Sequence, residues 1–256
     1  MRAVQPVRRV LMRAALIGIN GQGVTLAKAL TRIDGAALVA GYHPDAARAR
    51  AWDTGRGTSN LSAMLSRPDI DAVLIASPTH LHGAHILACL EAGKSIFVEK
   101  PVVNSYAECE QLWRAAQSHP VPTFMVGHNV RRSGWARAIK QIIDEGRLGR
   151  LVDVEMSFSH GGGFQFGTAN WRGSLRHHRE GPMNARGIHV FDLLHDWLGP
   201  IRRVYANLRN VAGVTESPDA VTSAALKMPP LNCGASFSAL TVTIDDAAGL
   251  VVLPPF

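Results

Sequence analysis

The turn Gly18-Ile19-Asn20-Gly21-Gln22-Gly23, reached directly from the apolar run Ala14 to Ile19, limits the possible folds more than any other stretch of this chain. Beyond it, Val24 to Leu30 has a helical pattern, with Val24, Leu26, Ala27 and Leu30 available to face a sheet. A strand that passes through glycines straight into a helix opens a βαβ unit, and backbone N–H groups at such a helix start suit a pyrophosphate. The G-x-G-x-x-G template falls on Gly18, Asn20 and Gly23, so its middle glycine is replaced. Asparagine is the non-glycine residue that best tolerates a left-handed backbone, and Gly21 adjoins it.

Strand and helix patterns then alternate. Ala37 to Gly41 is a strand whose end faces the adenosine ribose of any bound dinucleotide. An acidic residue commonly binds the ribose hydroxyls there, but Tyr42-His43-Pro44-Asp45 offers none at the expected place, and Arg48 and Arg50 follow. NAD and NADP both stay open, with His43 as a cofactor contact and Asp45 read alternatively as a helix cap. Leu61 to Leu65 is a short helix, Ile70 to Ala76 a strand leaving through Ser77-Pro78-Thr79-His80, and Leu81 to Ala92 a helix ended by Gly93. Ile96-Phe97-Val98 is a buried strand that ends at Glu99-Lys100-Pro101, because Pro101 has no N–H and pushes Lys100 away from helical dihedrals. Glu99 and Lys100 are thus held at the carboxyl edge of the sheet, where ligands bind in open parallel sheets. A lysine there serves proton transfer or, alternatively, is a plain surface residue. Ser105 and Glu108 form a capping box for a helix to Ser118, and Val121 to Gly127 is a further strand. The expected fold class is α/β, an N-terminal Rossmann-type doubly wound parallel sheet.

Past Gly127 the pattern changes, and a boundary between domains 12–127 and 128–256 is expected at Gly127 to Arg131. Trp135 to Glu145 reads as a helix and Arg150 to His160 as a strand. A loop from Gly161-Gly162-Gly163 to Arg179 is rich in Arg and His, and the helix Ile188 to Leu198 stops at Gly199-Pro200. Ile201 to Leu208, Ala220 to Lys227 and Gly234 to Ile244 are strands without intervening helices, which predicts an α+β domain with a largely antiparallel sheet. Residues 1–11 read as a disordered extension, with Met12 a natural start, and Asp245 to Phe256 as an unstructured tail.

The net charge of +7 comes mainly from arginine spread along the chain, which steers anionic ligands. No helix-turn-helix, zinc or aromatic-basic motif points to nucleic acid. Cys89, Cys109 and Cys233 are widely spaced and odd in number, against a disulfide framework and for a reducing, cytoplasmic setting. No apolar run is long enough to span a bilayer, so no membrane partner is expected. His80, His82 and His85 straddle a loop and a helix start with no thiolate or carboxylate cluster nearby, so no metal is expected.

The chain resembles the Gfo/Idh/MocA oxidoreductases, the glucose-fructose oxidoreductase and inositol dehydrogenase family. The resemblance lies in Asp69 through His82, in Leu90-Glu91-Ala92-Gly93-Lys94 through Glu99-Lys100-Pro101, and in Gly187-Ile188-His189-Val190-Phe191-Asp192. It implies NAD or NADP in the first domain and hydride transfer at a secondary alcohol or ketone of a sugar, cyclitol or related polyol. It implies Ser77, Pro78, His80 and Glu99 lining the cofactor, Lys100 orienting the substrate oxygen, and His189 exchanging the hydroxyl proton. An acidic residue four positions before the active-site histidine is replaced by Ala185, with Arg186 beside it offering a guanidinium to substrate. Asp192, three residues after His189, either orients the imidazole or sits in an ion pair. Arg172, Arg176, His177, His178 and Arg179 form a ligand-facing loop that predicts a preference for anionic sugars. The end at Phe256 predicts a shortened second domain and a homo-oligomer through the C-terminal sheet. Ala185 and that short end leave an alternative: a catalytically impaired dinucleotide-binding protein with a regulatory or scaffold role.

Overall fold

The computed structural model describes residues 12–52, 55–159, 165, 167–178, 181, 183–226, 237–245 and 249–253. The extension over residues 1–11, the triple glycine at 161–163, Arg179, Cys233 and the terminal residues 254–256 lie outside this set. The chain divides after Gly127 into two compact units.

The first unit runs β1 (Met12–Ile17), α1 (Gln22–Leu30), β2 (Ala36–Tyr42), α2 (Ala46–Ala51), β3 (Gly57–Thr58), α3 (Leu61–Leu65), β4 (Ala72–Ile75), α4 (His82–Glu91), β5 (Ser95–Val98), α5 (Tyr106–Ser118) and β6 (Phe124–Val126). Its strands form one six-stranded sheet in the order β3-β2-β1-β4-β5-β6, and every pairing is parallel. Parallel neighbours need crossover connections, and helices laid over both faces bury the strands on both sides. Ala14, Ala15, Leu16 and Ile17 of β1 are accordingly all buried, and alternate residues enter different cores. Ala15, Ile17, Val73, Ile75, Ile96 and Val98 pack with Ile86, Cys89 and Leu90 of α4 and Leu112 of α5. Ala14, Leu16 and Leu74 pack instead with Leu26, Ala27 and Leu30 of α1.

Val24 departs from expectation: it is 41% exposed. The helix starts at Gln22, and its sheet-facing stripe descends through Gly23, Leu26, Ala27 and Leu30, which turns Val24 outward. The two-residue β3 was not expected either; it exists only through its pairing with Gly41 and Tyr42. Side chains cap the helix starts. The Ser105 hydroxyl accepts from Glu108 N while Glu108 accepts from Ser105 Oγ and Asn104 N, each at 3.2 Å. The Lys94 ammonium donates to the Arg67 and Ile70 carbonyls at 2.8 and 2.9 Å, closing the connection into β4.

The second unit contains α6 (Gly134–Asp144), β7 (Arg150–Ser159), α7 (Ile188–Leu198), β8 (Arg203–Arg209), β9 (Ala220–Leu226), β10 (Phe237–Asp245) and β11 (Gly249–Leu253). Ala136 and Ile139 of α6 meet Leu193 and Trp197 of α7, with Leu151, Val154 and Met156 of β7 against them. The strands do not make one largely antiparallel sheet. β8 and β9 form a separate antiparallel pair, while β7 runs parallel to β10, and β11 lies antiparallel to β10. The long excursion through α7, β8 and β9 returns the chain to β7 in the same direction, a crossover that strand-by-strand reading does not reveal. The expected unstructured tail is also corrected: Gly249–Leu253 is a strand, with Val252 opposite Val242, as its β-branched run suits. Among the described residues no helix is long and apolar enough to cross a membrane.

Candidate functional site

The strand order reverses between β1 and β4, so the connections leaving those two strands flank the switch point where doubly wound sheets bind ligands. Gly18 leaves β1 with φ 92°, and a Cβ on it would sit 2.6 Å from Ala76 C and Ser77 N. Only glycine lets these two exits pass so closely. The left-handed turn into α1 falls on Gly21 (φ 52°), the neighbour of Asn20. A Cβ on Gly23 would run into the Gly18 carbonyl oxygen, so a third glycine sets the first turn of α1 directly against the strand end. The Gly23 and Val24 amides of α1 donate back to the Asn20 and Gly21 carbonyls at 3.0 and 3.1 Å, so what the turn presents to an anion is close-packed glycine backbone at the positive end of the helix dipole. The turn therefore forms a cradle for an anion, and its shape fits a dinucleotide pyrophosphate.

Backbone bonds extend the ladder one step past the strands: Gly18 N to Tyr42 O at 3.3 Å, and Ala76 N to Ile17 O, Glu99 N to Ile75 O and Gly127 N to Val98 O, each at 2.8 Å. Gly18, Ser77, Glu99 and Lys100 consequently leave the sheet along one edge. Gln22, at the start of α1, donates its amide to Glu99 Oε1 at 3.3 Å and ties the glycine turn to the end of β5. Burial pushes the Glu99 carboxyl above its usual range, against the opposing pull of Gln22 and Lys100. No local pattern announces Gln22, because its partner is 77 residues away.

The three histidines near Ser77 have separate places. His80 lies in the single turn Thr79–Leu81 that follows Pro78. His82 is buried, with Nδ1 2.9 Å from the Pro101 carbonyl and Nε2 2.8 Å from the Ser77 carbonyl. It joins the loop after β4 to the loop after β5, whose Lys100–Pro101 peptide is cis. His85 Nδ1 is 2.9 Å from Ser77 Oγ, its ring meets Tyr42 edge-on at 5.9 Å, and burial brings its pKa down to about 4. Among the described residues no three His, Cys, Asp or Glu side chains gather where they would hold a metal ion.

In the second unit the segment Met183–Gly187 winds directly into α7, whose first turn carries His189. His189 is 4% exposed, with the His128 ring edge-on at 6.3 Å and the Phe158 ring at 6.2 Å. The Arg186 guanidinium lies 5.1 Å over the same Phe158. Of the two places expected for Asp192, beside the imidazole or in an ion pair, it takes the ion pair. Its carboxylate accepts from Arg131 Nε at 2.7 Å and from Arg131 Nη2, and His128 Nδ1 is 3.6 Å away. Arg131 also holds Asp196 at 3.1 Å. Asp192 is thus committed to an internal cation, which makes it a structural anchor of α7; His128 and Arg131 are the residues that sequence reasoning missed. Arg172 lies on the turn Trp171–Gly173, its guanidinium 4.3 Å over Trp171. His178, from the loop expected to face a ligand, is buried, edge-on to Trp171, and its carbonyl accepts from Ser217 Oγ at 2.6 Å.

Residues 12–128 match a family model described as an oxidoreductase family, NAD-binding Rossmann fold, and residues 136–242 match the Gfo/Idh/MocA C-terminal domain. The chain is 32% identical over 142 residues to inositol 2-dehydrogenase 3 of Saccharopolyspora erythraea, covering 54% of this chain and 42% of that protein. It is 30% identical over 172 residues to a 2,7-anhydro-N-acetylneuraminate hydratase of Mediterraneibacter gnavus, covering 64% and 46%. Among solved structures, the WlbA dehydrogenase of Bordetella pertussis in complex with NADH and UDP-GlcNAcA is similar with a TM-score of 0.76 at 26% identity. That match covers 86% of this chain and 64% of that one. The chain spans 39%, 46% and 58% of three curated relatives, about half their length.

Proposed function

Because the chain belongs to the Gfo/Idh/MocA family of oxidoreductases, we propose that it moves a hydride between a nicotinamide dinucleotide and a secondary alcohol or ketone of a sugar-like molecule. The observation that carries this reading is the Gln22–Glu99 bond, which couples a glycine cradle fit for a pyrophosphate to the strand end that bears Lys100. Gly18, Asn20, Gly21 and Gly23 hold the phosphates, and Ser77, Pro78, His80 and Glu99 line the nicotinamide side. Bound there, the nicotinamide accepts or supplies the hydride.

The chain's own residues manage the proton and the developing charge. As a C–H bond of the substrate alcohol gives up its hydride, the hydroxyl proton passes to the His189 imidazole and a carbonyl forms; reduction runs the same transfers backwards. Imidazole suits this because its ordinary pKa lies near neutrality. The Lys100 ammonium stabilises negative charge on the substrate oxygen. The second unit keeps His189 in place through the α7 anchor, where Arg131 grips Asp192 and Asp196. Arg172 and Arg186 favour an anionic substrate. The exposed Val204, Tyr205 and Leu208 of β8 support association between copies, which light scattering tests.

Nicotinamide absorbance, followed across sugars, cyclitols and their acids with both dinucleotides, tests the activity. His189→Ala is expected to lower kcat about 10²- to 10⁴-fold while leaving dinucleotide binding intact, and Lys100→Met to act in the same direction. Full turnover by the His189 variant would overturn the assignment.

A further inference from the structure

Resting on the dinucleotide reading above, we propose that this chain selects the 2′-phosphorylated dinucleotide, with His43 as the residue that sets the choice. The glycine cradle and the end of β2 adjoin, since Gly18 N donates to the Tyr42 carbonyl. The adenosine ribose therefore meets the connection that follows Tyr42. An unmodified ribose presents a 2′,3′-diol there, whose two O–H donors call for an acceptor, ordinarily a carboxylate.

The one acidic residue of that connection, Asp45, is engaged as the cap of α2, where Oδ1 accepts from Ala47 N at 2.8 Å and from Arg48 N at 3.1 Å, while its half-exposed Oδ2 faces Arg48. These two bonds hold its carboxyl below the usual carboxylate range. His43 stands immediately beyond the strand, and its placement is fixed at two points. Its backbone N–H donates to the Thr58 carbonyl at 3.1 Å, and its ring Nδ1 lies 3.0 Å from Asp45 N.

The second bond determines which way the ring can act. A backbone N–H can only donate, so Nδ1 is the acceptor, and the proton of the neutral imidazole must sit on Nε2. His43 thus offers a donor where the diol needs an acceptor. A phosphate monoester reverses the requirement, because it brings acceptor oxygens and about two negative charges. Arg48 strengthens the preference: its side chain is 67% exposed, and its Nε lies 3.9 Å from Asp45 Oδ2, a separation that leaves the guanidinium weakly engaged. Asp45 is the one opposing charge, and its cap bonds together with Arg48 offset it.

Calorimetric titration of the chain with NADP+, NAD+, 2′,5′-ADP and 5′-AMP tests the choice without requiring a substrate. NADP+ is expected to bind at least tenfold more tightly than NAD+, and 2′,5′-ADP more tightly than 5′-AMP by a similar factor. His43→Asp is expected to reverse the dinucleotide ratio, and Arg48→Ala to weaken NADP+ about tenfold while leaving NAD+ unchanged. Circular dichroism of both variants identifies any that fails to fold, and each variant carries the test alone. Equal or tighter binding of NAD+ by the unaltered chain overturns the selection and leaves the dinucleotide reading standing. Binding of none of the four ligands overturns both.

Discussion

Alanine substitutions at four glycines separate the two reasons a glycine is needed, and the structure orders them. Gly134, the first residue of α6, has normal φ and nothing within 4 Å of a built Cβ, so Gly134→Ala should be neutral or stabilise by up to about 1 kcal/mol. Gly93 has φ 65° but equally open space, so Gly93→Ala meets only the left-handed strain, about 1–2 kcal/mol. Gly18 combines φ 92° with a Cβ 2.6 Å from two backbone atoms of the β4 exit, so those atoms must move. Overpacking of this kind adds about 1–3 kcal/mol, for a total near 2–5 kcal/mol. Gly23 has no left-handed φ, but its Cβ would sit 1.8 Å from the Gly18 carbonyl oxygen, a deeper backbone overlap than at Gly18, so Gly23→Ala should cost about 3 kcal/mol or more. Urea unfolding measures the stabilities, and calorimetry with dinucleotide measures the cradle. Gly18→Ala and Gly23→Ala should lose at least 100-fold in affinity, because the β1 and β4 exits are displaced. Gly93→Ala, whose glycine follows α4, should bind normally. If Gly18→Ala binds as the unaltered chain does, the close approach of Gly18 to Ser77 does not shape the site, and the cradle argument fails.

Acid should destabilise the first unit in two separate steps. Burial holds His85 near pKa 4 and lowers His82, whereas the unfolded chain takes up these protons near 6.5, so stability is complete above about 6.5 and falls as pH drops toward 4. For His85 this is about 1–3 kcal/mol, and His85→Gln should flatten the curve of urea midpoint against pH in that window. The Asp69 carboxyl, held near 2 by Arg67, acts later, because its contribution is lost only below about 3.8. An unchanged slope in the His85 variant would refute the burial argument. In the second unit, Arg131→Met strands the buried Asp192 carboxylate and should cost about 3 kcal/mol, while adding Asp192→Leu should restore most of that. A double variant as unstable as the single one would show that the pair does more than neutralise itself.

The elements most legible in the sequence are those with their own punctuation. Gly199-Pro200 marks the end of α7, and Ser105 with Glu108 marks the start of α5. The parallel sheet was legible because alternation of strand and helix is a local pattern repeated over the first half of the chain. What escaped was set by partners distant in sequence. β3 is two residues long and is defined by β2, and the parallel pairing of β7 with β10 depends on a crossover of almost eighty residues. The site divides in the same way. The cradle glycines and the Glu99-Lys100-Pro101 strand end carry local geometry, so they can be read in order along the chain. His82 and His85 look alike in sequence, yet one bridges two carbonyls in the interior and the other meets a serine hydroxyl. Arg131 sits in an Arg-Arg pair that looks like solvent-facing charge, and only the fold of α7 brings Asp192 and Asp196 to it.

His82 carries a mechanical consequence. One ring is the strut between the stretch holding Ser77 and the stretch holding Lys100, so neither can shift without dragging the other. An imidazole with one proton can donate to only one of those two carbonyls, and burial outweighs the bond a second proton would add. The strut therefore holds one stretch by a donated hydrogen and the other by close contact alone, and acid that forces a second proton onto the ring loads the joint between them.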